Sequence, residues 1–319
     1  MLGFKDLKKS IAVTENSVEC PVKDCPKKVK RQKDGFQRKK KFKCPEHNIY
    51  ISPSSFEYER DMDNLLWSHY DDLYLLNRAK RAKVEREMAR DDSEDAVVWN
   101  VFRFLDMQDL VIPVFDFLLE IELEDPEMIY WTYHGGEKSV WSELDRARQE
   151  FGDDAAAGLG PDIIIDSRNA LIFIEAKLTA GNETEPQGKK ETKKYLTGGR
   201  SWFGRVFRSD YERVAIEDRK YELMRLWLLG TWMAARRGVD FYLLNLVREG
   251  EEEGIEVTFG KHLKEDPARI FKRITWEKIY KGIADSYVPE EGKEKIIDYF
   301  ENKTLGYDEK GRLTKAFTL

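Results

Sequence analysis

Three ionisable side chains stand where two apolar runs meet. Asp162 opens Ile163-Ile164-Ile165, while Glu175 and Lys177 close Ala170-Leu171-Ile172-Phe173-Ile174. Ser167-Arg168-Asn169 between the runs reads as a turn, which makes the pair a hairpin. Strand side chains alternate faces, so Glu175 and Lys177 share one face and Ala176 points away; a reversal near Arg168 sets Asp162 opposite Ile174 or Glu175. Two carboxylates and an ammonium then converge beside a buried β core. Like charges a few Å apart repel, and desolvation adds several kcal/mol. A divalent cation relieves both, and hard carboxylate oxygens suit Mg²⁺, which keeps most of its waters and takes phosphate oxygens as well. Lys177 would hold or deprotonate an attacking water. Metal-assisted phosphodiester hydrolysis is the chemistry these residue types fit, with Mg²⁺ or Mn²⁺ as cofactor.

Pro161-Asp162, twelve intervening residues and Glu175-Ala176-Lys177 together resemble the PD-(D/E)xK (restriction-endonuclease-like) nuclease superfamily. The resemblance implies an α/β core, a mixed sheet flanked by helices, in which Asp162 and Glu175 bind Mg²⁺ and Lys177 positions the nucleophilic water. It further implies cleavage of DNA in preference to RNA, by an endonuclease of the restriction and defence or repair and recombination type. The family often places an acidic residue on its first core helix. Here Ser93 reads as an N-cap, and Glu94 heads a stripe of Val97, Val98, Val101, Phe102 and Leu105. The resemblance makes Glu94 a further catalytic and magnesium-binding residue; a carboxylate in a first turn also serves the helix dipole. Tyr211 to Arg237 reads as one long helix followed by a strand over Val239 to Val247, with Glu217, Tyr221 and Arg225 on one polar ridge. Some members use a Gln or Tyr on that helix. No Gln stands there in this chain, so Tyr221 and Arg225 alone carry over as nucleic-acid contacts, beside the ordinary reading of a surface ion-pair network. The reading from another class is a catalytically silent nucleic-acid-binding protein that retains the nuclease fold. The intact Asp, Glu and Lys favour the enzyme.

The second constellation is Cys20-x4-Cys25 and, eighteen residues on, Cys44-x2-His47, two close pairs of the ligands that a tetrahedral structural Zn²⁺ requires. It uses every cysteine in the chain. Three cysteines cannot all pair as disulfides, and with no signal peptide a reducing, cytoplasmic compartment is expected. Between the ligand pairs Lys23, Lys27, Lys28, Lys30, Arg31, Lys33, Arg38, Lys39, Lys40, Lys41 and Lys43 face only Asp24 and Asp34. The whole chain carries −6. That asymmetry marks an attachment for a polyanion, DNA on this reading, with Lys27, Lys28, Lys30, Arg31, Arg38, Lys39, Lys40 and Lys41 on the phosphates. Phe36 and Phe42 are interleaved, either to pack a small core or to stack on a base.

Length and composition bound the rest. With 319 residues, 41% of them hydrophobic, the chain can bury a sizeable core. Its longest apolar stretch, Leu226 to Ala235, is about half of what a membrane span needs. Composition shifts divide it into a basic zinc module (1–52), a charged helical connector (53–91), the nuclease core (92–250) and a closing extension (251–319). The connector's stripe is Leu65, Leu66, Tyr70, Leu73 and Leu76. Glu251 to Gly254 reads as a turn between edge strands, Trp276 to Tyr280 and Lys295 to Phe300 as closing helices, and Gly306-Tyr307 as exposed tail. Asp153 and Asp154 read as solvated loop acids, Trp202 to Arg205 as a mobile loop over the substrate backbone, and His69, His134 and His262 as surface or satisfied core histidines. A double-strand cut takes two active sites, which a homodimer would supply.

Overall fold

The computed structural model describes residues 7–33, 35–81, 88–153, 160–186 and 191–319, the last without the side chains of 191–193. Asp34, Asp154 and residues 82–87 and 155–159, all within segments read above, lie outside the described residues. The chain begins with two short antiparallel pairs, β1 (Ser17–Glu19) with β2 (Lys28–Lys30) and β3 (Tyr50–Ile51) with β4 (Phe56–Glu57). Helices α1 (Tyr70–Ala79), α2 (Glu94–Met107) and α3 (Val111–Leu119) follow. Next come β5 (Glu127–Tyr130), β6 (Tyr133–His134), β7 (Ser139–Val140), α4 (Ser142–Glu150), β8 (Ile163–Asp166) and β9 (Ala170–Ala176). Three helices, α5 (Glu191–Ser201), α6 (Phe203–Val206) and α7 (Tyr221–Arg237), lead to β10 (Asp240–Val247), α8 (Ile255–Gly260) and β11 (Arg269–Thr275). The last elements are α9 (Trp276–Ala284), α10 (Glu290–Asn302), β12 (Thr304–Tyr307) and β13 (Leu313–Lys315). They divide into two units, Met1–His69 with Arg86–Leu110 and Trp276–Leu319, and Tyr70–Glu85 with Val111–Thr275. The stretch expected as one core, 92–250, is therefore shared: α2 belongs to the first unit, and α3 through β10 to the second.

The second unit is built on a seven-stranded mixed sheet in the order β11-β10-β9-β8-β5-β6-β7. Its fold is mixed α/β, a sheet with helices. The apolar runs around Arg168 form the antiparallel β8–β9 hairpin, with Ile163 across from Ile174 and the turn closed by Ser167 N–H to the Ala170 carbonyl at 2.9 Å. From β9 the chain leaves through helices and returns as β10 parallel to it, as a helical crossover requires. Both central strands are buried along almost their whole length, which is why they read as unbroken apolar runs. One face of the sheet packs on α7: Ile164, Leu171, Phe173, Phe241 and Leu243 cluster with Leu223, Leu226, Trp227 and Leu229. These are alternate positions on each strand, so the face is set by the pleat.

In the first unit α2 begins as expected, with the Ser93 hydroxyl accepting the Ala96 N–H. It is buried beyond a single stripe, since Trp99, Asn100 and Phe104 are also enclosed. Asn100 explains one departure from expectation. Its side-chain oxygen takes the Leu66 N–H at 2.8 Å and its carbonyl takes the Trp67 indole at 2.7 Å. Those bonds hold 65–67 out of helical geometry, so the connector is not one helix; among its described residues Tyr70–Ala79 is the α-helix, and Tyr70 is exposed. Gly306-Tyr307 is no tail either. It lies in β12, with Tyr307 buried and donating to the Ser52 carbonyl. After the Glu251 to Gly254 turn the chain forms α8 before reaching a strand. The two closing helices are present as α9 and α10. Among the described residues no helix is long and apolar enough to cross a membrane.

Gly230 sets the distance between α7 and β10. A Cβ there would stand 2.1 Å from the Phe241 ring, which is itself wedged edge-on against Phe173 and Trp227. Alanine's better helix propensity is worth about 1 kcal/mol, less than the cost of overpacking such a ring. Gly230→Ala should lower the unfolding free energy by about 1–3 kcal/mol in chemical denaturation; an unchanged or raised value would show that the ring yields.

Candidate functional site

The apolar face that packs on α7 turns polar at one end. On β9 the alternation Leu171, Phe173 continues to Glu175, and on β10 Phe241, Leu243 continues to Asn245, which is the register partner of Glu175. Asp162, one residue before Ile163, falls across from Glu175, and its Oδ2 accepts the Ala176 N–H at 3.0 Å. Lys177 follows on the same face, held by its own N–H to the Leu246 carbonyl at 2.8 Å. Its ammonium pairs with Glu175, and Glu222 stands 3.9 Å away on the first turn of α7. Asp162, Glu175 and Lys177 are thus brought together as the hairpin reading requires, and all three are buried or nearly so.

The electrostatics follow from the burial. Enclosure pushes the Glu175 carboxyl well above its ordinary range; the Lys177 charge draws it back, and the charges of Glu222 and Asp162 push it up again. A flanking polar net seals the row. Asn182 and Asn245 both donate side-chain N–H groups to Glu252 at 2.7 Å, the Asn182 backbone donates at 2.8 Å, and the two amides bond each other at 2.7 Å. Against the cost of burial, those bonds hold the Glu252 carboxyl below its usual range. The loop after Lys177 also starts α7: the Thr184 carbonyl accepts the Tyr221 N–H and its hydroxyl accepts the Glu222 N–H at 2.8 Å.

Glu222, Asn245, Asn182 and Glu252 are absent from the residues anticipated above. Asn245 had a legible signal, the lone polar residue within Phe241-Tyr-Leu-Leu-Asn-Leu-Val. Glu222 was hidden because the helix was expected to start at Tyr211. Instead Glu212–Glu217 forms a single π-helical turn and the chain breaks at 218–220, where Asp218 is drawn to Lys261 and His262. Glu217 therefore pairs with Arg213 and shares no ridge with Tyr221 and Arg225. Those two point inward. Arg225 is 2% exposed and bonds Tyr195 at 2.7 Å and Asp153 at 3.1 Å, while the Tyr221 hydroxyl meets that of Tyr195. Asp153 is accordingly the hub of a buried ion-pair network, not a solvated loop acid. Trp202 and Phe203 of the expected mobile loop are packed, the Trp202 indole donating to Thr231 at 2.9 Å, while Gly204 and Arg205 stay exposed. His262 is a satisfied core histidine between Ser209 and Asp218, and His134 pairs with Glu127.

Glu94 stands half-buried in the first turn of α2, in the first unit, whereas the acid and lysine row belongs to the second. The first unit holds the other site. Cys20 and Cys25 flank a turn between β1 and β2, closed by Cys20 N–H to the Lys27 carbonyl and Cys25 N–H to the Val22 carbonyl. Cys44 and His47 flank a second turn, closed by Asn48 N–H to the Cys44 carbonyl. The sulfurs of Cys20 and Cys44 each lie 3.7 Å from His47 Nδ1, and those of Cys25 and Cys44 lie 3.9 Å apart. The edge of a tetrahedron with zinc–sulfur bonds of about 2.3 Å is about 3.8 Å. All four ligand atoms lie within 4.8 Å of one another, so this Cys3His group could hold a structural metal such as zinc. Among the described residues no second set of Cys, His, Asp or Glu is gathered as closely; in the acidic row the oxygens are engaged by Lys177 and the Ala176 amide.

The basic residues of the module fall into two groups. Lys27, Lys33, Arg38 and Lys43 are paired with Glu46, Glu15, Glu57 and Glu59. Lys28, Lys30, Lys39, Lys40 and Lys41 are exposed, and Arg31 is half-buried. Phe42 packs the module's core, whereas Phe36 stays 38% exposed. No protein-family model, curated protein or solved structure matches the chain.

Two measurements follow. Freshly purified protein should carry one equivalent of zinc, and Cys44→Ser should abolish it and lower the melting temperature; metal-free protein of unchanged stability would contradict the Cys3His assignment. Without divalent cations, a Glu175 carboxyl raised above 4.5 keeps a proton that the unfolded chain has lost, so stability should fall as pH rises through that value. Glu175→Gln should remove this slope, and parallel stability curves for the two proteins would refute the raised carboxyl.

Proposed function

We propose that this chain is a divalent-metal-dependent nuclease of the PD-(D/E)xK kind, hydrolysing phosphodiester bonds of DNA as an endonuclease. One observation carries the reading: Asp162, Glu175 and Lys177 lie together at the polar end of the hairpin face, with a further carboxylate, Glu222, at the edge of the row. A mixed sheet flanked by helices is the architecture expected around such a site. The donor chemistry fits as well. Asp162 and Glu175 offer hard oxygens of the type Mg²⁺ or Mn²⁺ prefers, and a carboxyl whose pKa is raised by burial, and further by the Glu222 and Asp162 charges, gains most from a cation.

When bound, the cation would polarise the phosphate and lower the pKa of a coordinated water. Asp162 and Glu175 would hold it, with Glu222 as a further acid. Lys177 orients the attacking water through an ammonium already fixed between Glu175 and Glu222. Asn182, Asn245 and Glu252 keep the loop after Lys177 and the end of β10 in place, which holds that ammonium in position. The zinc module adds phosphate contacts from its exposed lysines, a term that weakens with salt.

Cleavage of plasmid and oligonucleotide DNA with Mg²⁺ tests the reading directly. The parent should cut, Asp162→Ala and Lys177→Ala should lose at least about 10²-fold of the rate, and Lys177→Arg should also fall, because a guanidinium does not give up its proton. Equal rates in all four would place the chemistry elsewhere, and binding without any cleavage would leave a silent nucleic-acid-binding protein.

A further inference from the structure

Lys30, Arg31 and Lys41 of the module meet at one groove. A cleft of about 380 Å³ is lined by Lys30, Arg31, Lys33, Lys41 and the edge of Phe42, with Glu15 its one acidic wall residue among the described ones. Glu15 is already matched by Lys33. Lys30 is exposed on β2, and the Lys41 ammonium lies over the Phe42 ring at 4.8 Å, a cation–π contact that holds its charge at the groove. Among the described residues the Arg31 guanidinium makes one long bond, 3.4 Å to the Thr14 carbonyl, which leaves most of its five donors uncommitted there. Away from the groove, Lys27, Arg38 and Lys43 are paired with glutamates of the same unit, while Lys28, Lys39 and Lys40 stand exposed outside its lining. The floor is rigid. Gln32, 3% exposed, donates to the Ile51 carbonyl at 2.8 Å and accepts the Gln37 N–H at 2.7 Å.

The wall beyond the groove is the ridge 36–38. Gln37 faces the groove, while Phe36 and Arg38 face a neighbouring cavity of about 500 Å³ that also reaches Phe56, Ser54 and Arg90. Phe36 is held edge-on to Tyr50 and presents its ring to that cavity. A phosphate-sized row of cations thus adjoins an exposed aromatic ring beside a space large enough for a base. A duplex rail would use the cations and leave the ring idle, because its bases are stacked; an unpaired strand uses both.

We infer that this groove and ridge form a binding track for single-stranded nucleic acid, phosphates over Lys30, Arg31 and Lys41 and a base on Phe36. The inference rests on the nucleic-acid side of the function proposed above and is independent of hydrolysis. Fluorescence anisotropy of the zinc-loaded full chain, without added divalent cation, tests it with labelled oligo-dT and a duplex of equal length. The single strand should bind more tightly. Phe36→Ala should weaken oligo-dT binding at least about five-fold and leave the duplex unaffected. Lys30→Gln with Lys41→Gln should lower the salt slope by about 1.4, or about 0.7 for each phosphate no longer neutralised, whereas the charge-matched Lys23→Gln with Lys281→Gln should change it little. Retained zinc would establish that each variant is folded. Duplex bound as tightly as oligo-dT, or groove variants indistinguishable from the charge-matched control, would overturn the inference. A chain that binds through the groove but never cuts counts against hydrolysis alone; one that cuts while its groove variants bind normally counts against the track alone.

Discussion

Glu175 ends a strand that is otherwise apolar on both faces, and its carboxylate is 3% exposed. Placing an anion there costs several kcal/mol unless the surroundings return it. The Lys177 ammonium is the immediate compensation, and the geometry around it is organised to keep the two together: Lys177 is bonded through its backbone to β10, and the loop that follows is tied down by Asn182, Asn245 and Glu252. That same loop supplies Thr184 to the start of α7, which brings Glu222 to the row. With Asp162 and Glu222 beside Glu175, the row holds more carboxylates than one ammonium can match. The proposed divalent cation would balance that excess.

The apolar remainder of the face exists to hold this row still. Leu171, Phe173, Phe241 and Leu243 pack on α7 through Trp227 and the bare Cα of Gly230. The ion pairs of Asp153 with Arg225 and Lys194 pin the helices α5 and α7 to the end of α4. Charges that would serve a ligand on the surface here serve the scaffold. The Cys3His module follows the opposite plan, with three thiols and an imidazole closing two turns and most of its lysines left in solvent.

Strand pairing around Asp162 and Glu175 was legible because two short apolar runs, each bounded by charged residues, are joined by a three-residue polar turn. The ligand spacing of Cys20, Cys25, Cys44 and His47 was legible for a similar reason, since chemistry restricts it. Where expectation failed, long-range bonds had outweighed local pattern. Residues 65–67 follow helical periodicity but are held out of helical geometry by the bonds of Leu66 and Trp67 to Asn100. The helix expected from Tyr211 is interrupted because Asp218 is bonded to His262 and Lys261, some forty residues later. Arg225 read as a surface cation because spacing gives no information on a buried partner such as Asp153, which comes from a distant loop. Glu222 became visible only once the true start of α7 was known.

The central claim is that Asp162 and Glu175 form a pocket for a hard divalent cation beside Lys177. Titration of the zinc-loaded chain with Mn²⁺, followed by electron paramagnetic resonance, addresses it without relying on a substrate. The account predicts saturable Mn²⁺ binding that Asp162→Asn and Glu175→Gln each abolish while zinc stays in place. Saturable binding that survives both substitutions, or none in the parent, would contradict it.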